Sequence, residues 1–275
     1  MFATDFLFNN LRASDLGLMI CSFDSSPEPA SGGEIEYNVV KTPGRDRFTF
    51  YGSQFNSALE WNFSICKDPD LNCSPAFTQY EESRIAKWLL RSDGYKPLQF
   101  LQEGYENIFY NVCFRIMPHQ IAGETVGFDL TATSDCAYGF SELIKKTAVI
   151  KIDAPLELFL HSDVDTYILP RVKVTGKGNF YISNDNDILQ NTSLQKETLF
   201  RNMPTDAEWK IIMDSDTDTI LSINSETNQT APLSNPNQFN WYFLRLVGGR
   251  NILSTNSKSD VTIELQYREP RFVIL

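Results

Sequence analysis

Asp214, Asp216 and Asp218 stand at alternate positions, the spacing with which a calcium-binding loop opens its set of oxygen ligands. The rest of such a loop is missing. Thr219 occupies the sixth place, where the turn needs glycine, and Ser225 the twelfth, where a bidentate glutamate belongs. The strand-like Ile220-Leu221-Ser222-Ile223 follows, so the aspartates read as a polar turn between strands, in which short carboxylates bond nearby amides. There are 2 histidines, His119 and His161, and neither has a Cys, Asp or Glu partner at metal-ligand spacing. No serine sits in a GxSxG elbow, and Gly176-Lys177-Gly178 lacks the third glycine and the following helix of a phosphate loop. Paired carboxylates for glycoside hydrolysis come together only in a fold, so their abundance is no evidence for that chemistry. No metal, no cofactor and no catalytic residue is expected, and the chain reads as a non-enzyme. Trp209, Trp241 and Tyr242 remain as contact residues for a glycan or a partner, because aromatic faces stack on sugar rings; a tryptophan in a β run more often fills a core.

The chain has 275 residues, room for two ordinary domains, and 42% of them are hydrophobic, enough to close a core. With 24 Lys and Arg against 35 Asp and Glu, a net charge of −11 repels phosphate, which argues against specific nucleic-acid binding. The 5 cysteines, Cys21, Cys66, Cys73, Cys113 and Cys136, are odd in number and form no CxxC, as expected of reduced thiols rather than a disulfide framework. The first twenty residues lack the basic start and apolar run of a signal peptide, and no segment reaches the ~18 apolar residues of a membrane span. A soluble protein made in a cytoplasm is expected, so Asn62-Phe63-Ser64 and Asn228-Gln229-Thr230 read as chance sequons.

The elements that must position any site are mostly strands. Residues 48–51, 59–65, 108–116 and 125–132 alternate or are rich in aromatics, and in the second of these Leu59, Trp61, Phe63 and Ile65 share one face. One helix interrupts them: Thr78 caps it, Glu81 completes a capping box, and Ile85, Trp88 and Leu89 recur at helical spacing, with Gly94 as the stop. After Ala148-Val149-Ile150-Lys151-Ile152 the composition shifts at Asp153-Ala154-Pro155, which places a domain boundary between 152 and 153. Strands are expected again at 168–174, 178–183, 208–213, 220–223, 239–247 and 261–267, with a polar loop from Asn224 to Asn240. The fold class is therefore mainly β: an N-terminal β-sandwich-like domain (1–152) with one α-helix, then a C-terminal β-sandwich domain (153–275), galectin-like or carbohydrate-module-like.

Several phrases in order resemble the distal tail protein (Dit) family of long, non-contractile-tailed phages or prophages. Asp15-Leu16-Gly17-Leu18-Met19-Ile20 is similar to that family's opening, and Gly44-Arg45-Asp46-Arg47 before Phe48-Thr49-Phe50-Tyr51-Gly52 to its turn into an aromatic strand. The stretch from Phe77-Thr78 and Glu81 through Ile85 to Leu89, Gly94-Tyr95, Leu98-Gln99-Phe100 and Ile108-Phe109-Tyr110 resembles its helix and return strand. Ser134-Asp135-Cys136-Ala137-Tyr138-Gly139 resembles the end of its first domain, with Ala137 where that pattern has proline. In the second part the resemblance runs through Ile182-Ser183-Asn184, Trp209 to Asp214, Leu246 to Asn251 and Tyr267-Arg268-Glu269-Pro270-Arg271.

The resemblance implies a structural virion protein at the tail tip, assembled in the bacterial host cytoplasm. N-terminal domains would form a homo-hexameric ring, single or stacked as two rings, below the tail tube protein. C-terminal domains would face the tail-associated lysin or tip protein and the receptor-binding or baseplate proteins of host attachment. The alternative from another class is a carbohydrate-binding module that contacts a host cell-surface glycan through Trp209, Trp241 or Tyr242. A cell-wall hydrolase, the third, has only the β-rich body and the carboxylates behind it.

Overall fold

The computed structural model describes residues 3, 5–23, 31–41, 43–44, 46–102, 107–187, 197–224, 226–233 and 235–272. Arg45 of the aromatic-strand phrase and Ser225 of the aspartate run lie outside them. The chain divides into two compact units, one of the residues up to Phe140 with Phe272, the other Ser141–Arg271. That division falls ahead of the expected 152/153. The reason is a strand: residues 144–150 pair along their whole length with 261–267, so the second sheet claims them before the composition shifts.

In unit 1 the strands are β1 (Asp5–Phe8), β2 (Leu11–Arg12), β3 (Leu18–Cys21), β4 (Ile35–Lys41), β5 (Phe48–Phe55), β6 (Glu60–Lys67), β7 (Lys96–Leu101), β8 (Tyr110–Ile121), β9 (Glu124–Ser134) and β10 (Gly139–Phe140). Seven of them form one sheet in the order β2-β1-β7-β8-β9-β6-β3, with every pairing antiparallel. Alternation puts the large apolar side chains on one buried face: Phe6 and Phe8, Leu98 and Phe100, Tyr110, Val112 and Phe114, Phe128 and Leu130, Trp61 and Ile65. The sheet is strongly curled. Four strand spacings separate Phe6 from Phe63, about 19 Å in a flat sheet, yet their rings meet at 5.5 Å. Ala13 brings the two edges together, its N–H donating to Phe6 O (3.0 Å) and its carbonyl accepting from Leu18 N–H (3.1 Å). The expected sandwich-like core is thus enclosed by one sheet wrapped on itself and by a helix.

That helix, α1 (Gln79–Leu89), starts where the capping box places it. Glu81 Oε2 accepts from Thr78 N–H at 2.7 Å, and Thr78 Oγ1 accepts from Glu81 N–H at 3.4 Å. It buries Ile85, Trp88 and Leu89. Trp88 stacks on Phe6 at 5.5 Å and donates its indole N–H to Phe8 O at 3.1 Å. The helix ends at Leu89, before the glycine expected to stop it. Gly94 (φ +98°) serves the turn that follows, where Asp93 accepts from Lys96 Nζ (2.8 Å) and Arg91 Nε (3.3 Å).

Lys67 of β6 ties the helix start to the sheet, donating to Glu81 Oε2 at 2.9 Å and to Ala76 O at 2.8 Å. The Thr78 backbone N–H, then the Lys67 ammonium, hold the Glu81 carboxyl at about 2, against an ordinary 4.5. A carboxyl depressed in the fold stabilises in full above its ordinary value and loses that contribution as pH falls toward about 2. The melting temperature of unit 1 should therefore drop between pH 4.5 and 2, and Glu81→Gln should make that drop shallower. An identical acid limb in both proteins would refute the assignment.

Unit 2 contains β11 (Ile144–Ile150), β12 (Leu156–Leu160), β13 (Arg171–Gly176), β14 (Phe180–Asn184), β15 (Glu197–Phe200), β16 (Trp209–Asp214), β17 (Thr219–Ile223), β18 (Thr230–Pro232), β19 (Gly249–Thr255), β20 (Val261–Tyr267) and β21 (Pro270–Arg271). Six strands in the order β11-β20-β13-β16-β17-β18 form one sheet and four, β12-β19-β14-β15, another. Val172, Val174, Ile211, Met213, Ile263 and Leu265 of the first share one core with Leu158, Leu160, Phe180, Ile182, Phe200 and Leu253 of the second, so the sheets pack face to face as a sandwich.

The strand expected at 239–247 is absent. Phe239 and Leu246 each make one isolated bridge, and Trp241 sits at φ +59°, which breaks any ladder. Burial is irregular here, taking Phe239, Phe243, Leu244, Leu246 and Val247 into the core, and side chains supply the backbone's partners. Buried Asn251 accepts from Val247 N–H (2.9 Å) and donates to Val247 O (2.8 Å), while buried Asn184 donates to Arg245 O (3.0 Å) and to Asn251 Oδ1 (2.7 Å). Two family-like phrases far apart in sequence, 182–184 and 246–251, thereby meet.

Candidate functional site

The three residues expected to contact a glycan or partner have different surroundings. Trp209 is 6% exposed: Phe180 stacks on it at 5.0 Å and Phe200 tilts against it at 5.1 Å. Its indole N–H donates to Gly178 O at 3.1 Å. Buried in this aromatic cluster of the unit 2 core, it has no open face to offer a sugar, which corrects its placement among the contact residues. Trp241 is 57% exposed and touches Phe239 edge-on at 6.1 Å. Tyr242 is half-buried, its hydroxyl donating to Asp187 Oδ2 at 2.6 Å, and the Arg245 guanidinium lies 4.1 Å over the Tyr167 ring and 4.9 Å over that of Tyr242. Burial, and next the Asp187 carboxylate, raise the Tyr242 hydroxyl above its ordinary value. This cluster of an aspartate, an arginine and two tyrosines braces the loop that carries Trp241.

The chemistry-bearing residues of the sequence fall into structural roles. Asp214 ends β16, Asp216 and Asp218 lie in the turn to β17, and Asp214 Oδ1 accepts from Asp216 N–H at 3.2 Å, as in a polar hairpin. Gly176 closes β13 because a side chain there would meet the Phe180 ring 2.3 Å away. His119 stacks on Phe23 at 4.0 Å with Nδ1 3.3 Å from Asp129, and His161 meets Phe159 edge-on at 5.1 Å. Buried Glu269 accepts from His161 N–H (2.9 Å) and from Arg271 Nη2 (2.7 Å), fastening the end of β12 to the closing phrase of the sequence. Among the described residues no group of three or more His, Cys, Asp or Glu is placed to hold a metal.

A further candidate contact surface is the β4–β5 hairpin. Its register pairs Ile35 with Phe55, Tyr37 with Ser53, Val39 with Phe50 and Lys41 with Phe48. Directly paired residues share a face, so Ile35, Tyr37, Val39, Phe48, Phe50 and Phe55 line one side together with Lys41 and Ser53, while Glu36, Asn38, Val40, Thr49 and Gln54 line the other. Tyr37 and Phe50 are in ring contact at 6.3 Å, yet Tyr37, Phe48 and Phe50 are each at least 60% exposed. Among the described residues the hairpin pairs with no third strand. Its root packs on the unit through Phe55 against Tyr138 at 5.8 Å. A contiguous apolar face on an exposed two-stranded ribbon marks an interaction surface, since such a ribbon is marginal alone in water. The aromatic run 48–51 marks one strand of this hairpin in the sequence, and the alternation Ile35, Tyr37, Val39 ahead of Pro43-Gly44 is the signal for its partner.

Residues 1–136 match the family described as phage tail protein N-terminal domain, and residues 138–267 the one described as phage tail C-terminal domain. The chain belongs to this phage tail protein family. The family boundary at 136–138 lies close to the division between the two units. No curated protein matches the chain in sequence. Among solved structures it is similar to the Dit protein of phage SPP1, described as a paradigm of the hub adsorption apparatus in phages infecting Gram-positive hosts. The identity is 12% and the TM-score 0.57 over 96% of this chain and 98% of that one. A chain of the phage P2 baseplate in its activated conformation with Ca is similar at 10% identity and TM-score 0.51, over 99% of this chain and 100% of that one. At these identities the similarity is one of fold, and the place in a phage tail comes from the two family matches. Among the described residues no helix is long and apolar enough to cross a membrane.

Proposed function

We propose that this phage tail protein forms a six-membered ring at the distal end of the tail, joining the tail tube to the tip or baseplate and to receptor-binding components, with no enzymatic step of its own. The observation that carries this reading is the amphipathic β4–β5 hairpin. In a closed ring each copy offers one surface and receives another, and a ribbon with one aromatic face supplies the offered surface. Unit 1, which carries the hairpin, is the ring-building part. Unit 2 faces outward toward neighbouring tail proteins, and the net charge of −11 suits a ring whose lumen passes DNA without holding it.

Light scattering on the purified chain should give six copies, or twelve if two rings stack. Tyr37→Asp with Phe50→Asp should return it to a folded monomer, because charges on the apolar face cannot be desolvated at an interface. A ring unaffected by those substitutions would remove the hairpin from it. A monomer at high concentration, with no density for the chain at the tip of purified tails, would remove the ring.

A second reading, contact of unit 2 with a host glycan, is favoured by one observation: Trp241 projects into solvent from a braced loop.

A further inference from the structure

On the outer face of the unit 1 sheet, opposite its core, two thiols are neighbours. The register of β3 with β6 sets Cys21 against Ser64 and Met19 against Cys66. Cys21 and Cys66 are therefore diagonal partners on one face, while Leu18 and Ile65 of the alternate positions are buried on the other. Both thiols are free and partly exposed. Gly127 lies opposite Cys66 on β9, and the space its missing side chain leaves is taken by Phe23, whose ring would stand 2.3 Å from a Cβ there. Burial, then the adjacent Cys66 thiol, pushes the Cys21 thiol up.

We propose that Cys21 and Cys66 are a thiol pair that closes to a disulfide when the protein passes from a reducing to an oxidising solution. A low-molecular-weight disulfide is the oxidant. One cysteine thiolate attacks it, forming a mixed disulfide and releasing one small thiol. The second thiolate then attacks the protein sulfur of that mixed disulfide and releases the other. Two protein thiols become one S–S bond, and the two electrons and two protons they give up leave on the two small thiols. Diagonal Cα atoms sit about 7–8 Å apart and a disulfide wants them below about 7 Å. The strand that must give is β3, whose one ladder partner among the described residues is β6 and which is otherwise held at its start by the Leu18 N–H to Ala13 O bond.

The link would fasten the hairpin at its base. All of β4 and β5 lies between Cys21 and Cys66, so the bond closes a loop that contains the entire hairpin and fixes both ends of that insertion to the sheet. The inference rests on the tail-protein reading for its setting, since a particle assembled in a reducing cytoplasm and then released meets this change of solution. The bond itself does not depend on a ring.

Incubation of the purified full chain with oxidised glutathione, followed by alkylation of the remaining thiols and peptide mass spectrometry, should yield a Cys21–Cys66 linked peptide. Its rate of appearance should rise with pH, because the thiolate is the attacking form. The melting temperature of unit 1 should rise by roughly 5 °C, and Cys21→Ser and Cys66→Ser should each abolish both effects. Recovery of both cysteines alkylated, or of a stable glutathione adduct without the linked peptide, would overturn the proposal. Light scattering under reducing conditions tests the ring separately, so failure of either leaves the other standing.

Discussion

Trp88→Ala is expected to destabilise unit 1 by about 3–5 kcal/mol, the range for removing a large buried aromatic. Three contacts go together: the stack on Phe6 at 5.5 Å, the edge contact with Phe8 at 6.2 Å and the indole hydrogen bond to Phe8 O at 3.1 Å. Both partners are in β1, so Trp88 fastens the only α-helix among the described residues to a strand near the edge of the curled sheet. Ile85 and Leu89 cannot refill the space without moving α1, because they are already packed in the same core. Trp88→Phe keeps most of the burial and loses the indole donor, and it should cost about 1–2 kcal/mol. Urea unfolding followed by circular dichroism checks both. A cost under about 1 kcal/mol for Trp88→Ala would show that the helix is held elsewhere. The same variant should also lose ring assembly if unit 1 builds the ring.

Trp209→Ala should melt unit 2 instead of trimming a surface, again at about 3–5 kcal/mol. Its indole packs against Phe180 at 5.0 Å and Phe200 at 5.1 Å, over a Gly176 that has no room for a side chain. It thus bridges β16 of the six-stranded sheet to β14 and β15 of the four-stranded one. Trp241→Ala, at an exposed position, should leave the midpoint within about 0.5 kcal/mol. This contrast separates the two readings of these tryptophans. A glycan array probed with the wild type and with Trp241→Ala decides the carbohydrate reading: sugar bound by the first and lost by the second would support it, and no sugar bound by either would end it. A small effect of Trp209→Ala on stability would contradict its place in the unit 2 core.

What the sequence by itself determined was local. The capping box Thr78–Glu81, the i, i+3, i+4 run Ile85, Trp88, Leu89 and the alternation in β6, β8, β9, β16 and β20 each depend on a few neighbouring residues, so type was legible and position within a residue or two, except that β8 runs on to Ile121, past the expected end at 116. The order of the family-like phrases carried the rest, and the family match agrees with it. Tertiary structure decided what depends on distant partners. Residues 239–247 look like a strand from their apolar content, but they fold as an irregular insertion because Asn184 and Asn251 satisfy their backbone and the core takes their side chains. The domain division moved to Phe140/Ser141 because β11 finds its partner in β20, more than a hundred residues away. Trp209 and Trp241, alike in sequence, separated into core and surface by the same logic: burial is set by what lies opposite in space. For that reason also the hairpin's aromatic face, composed like any core strand, is recognisable as a surface only in the fold, where among the described residues no second layer covers it.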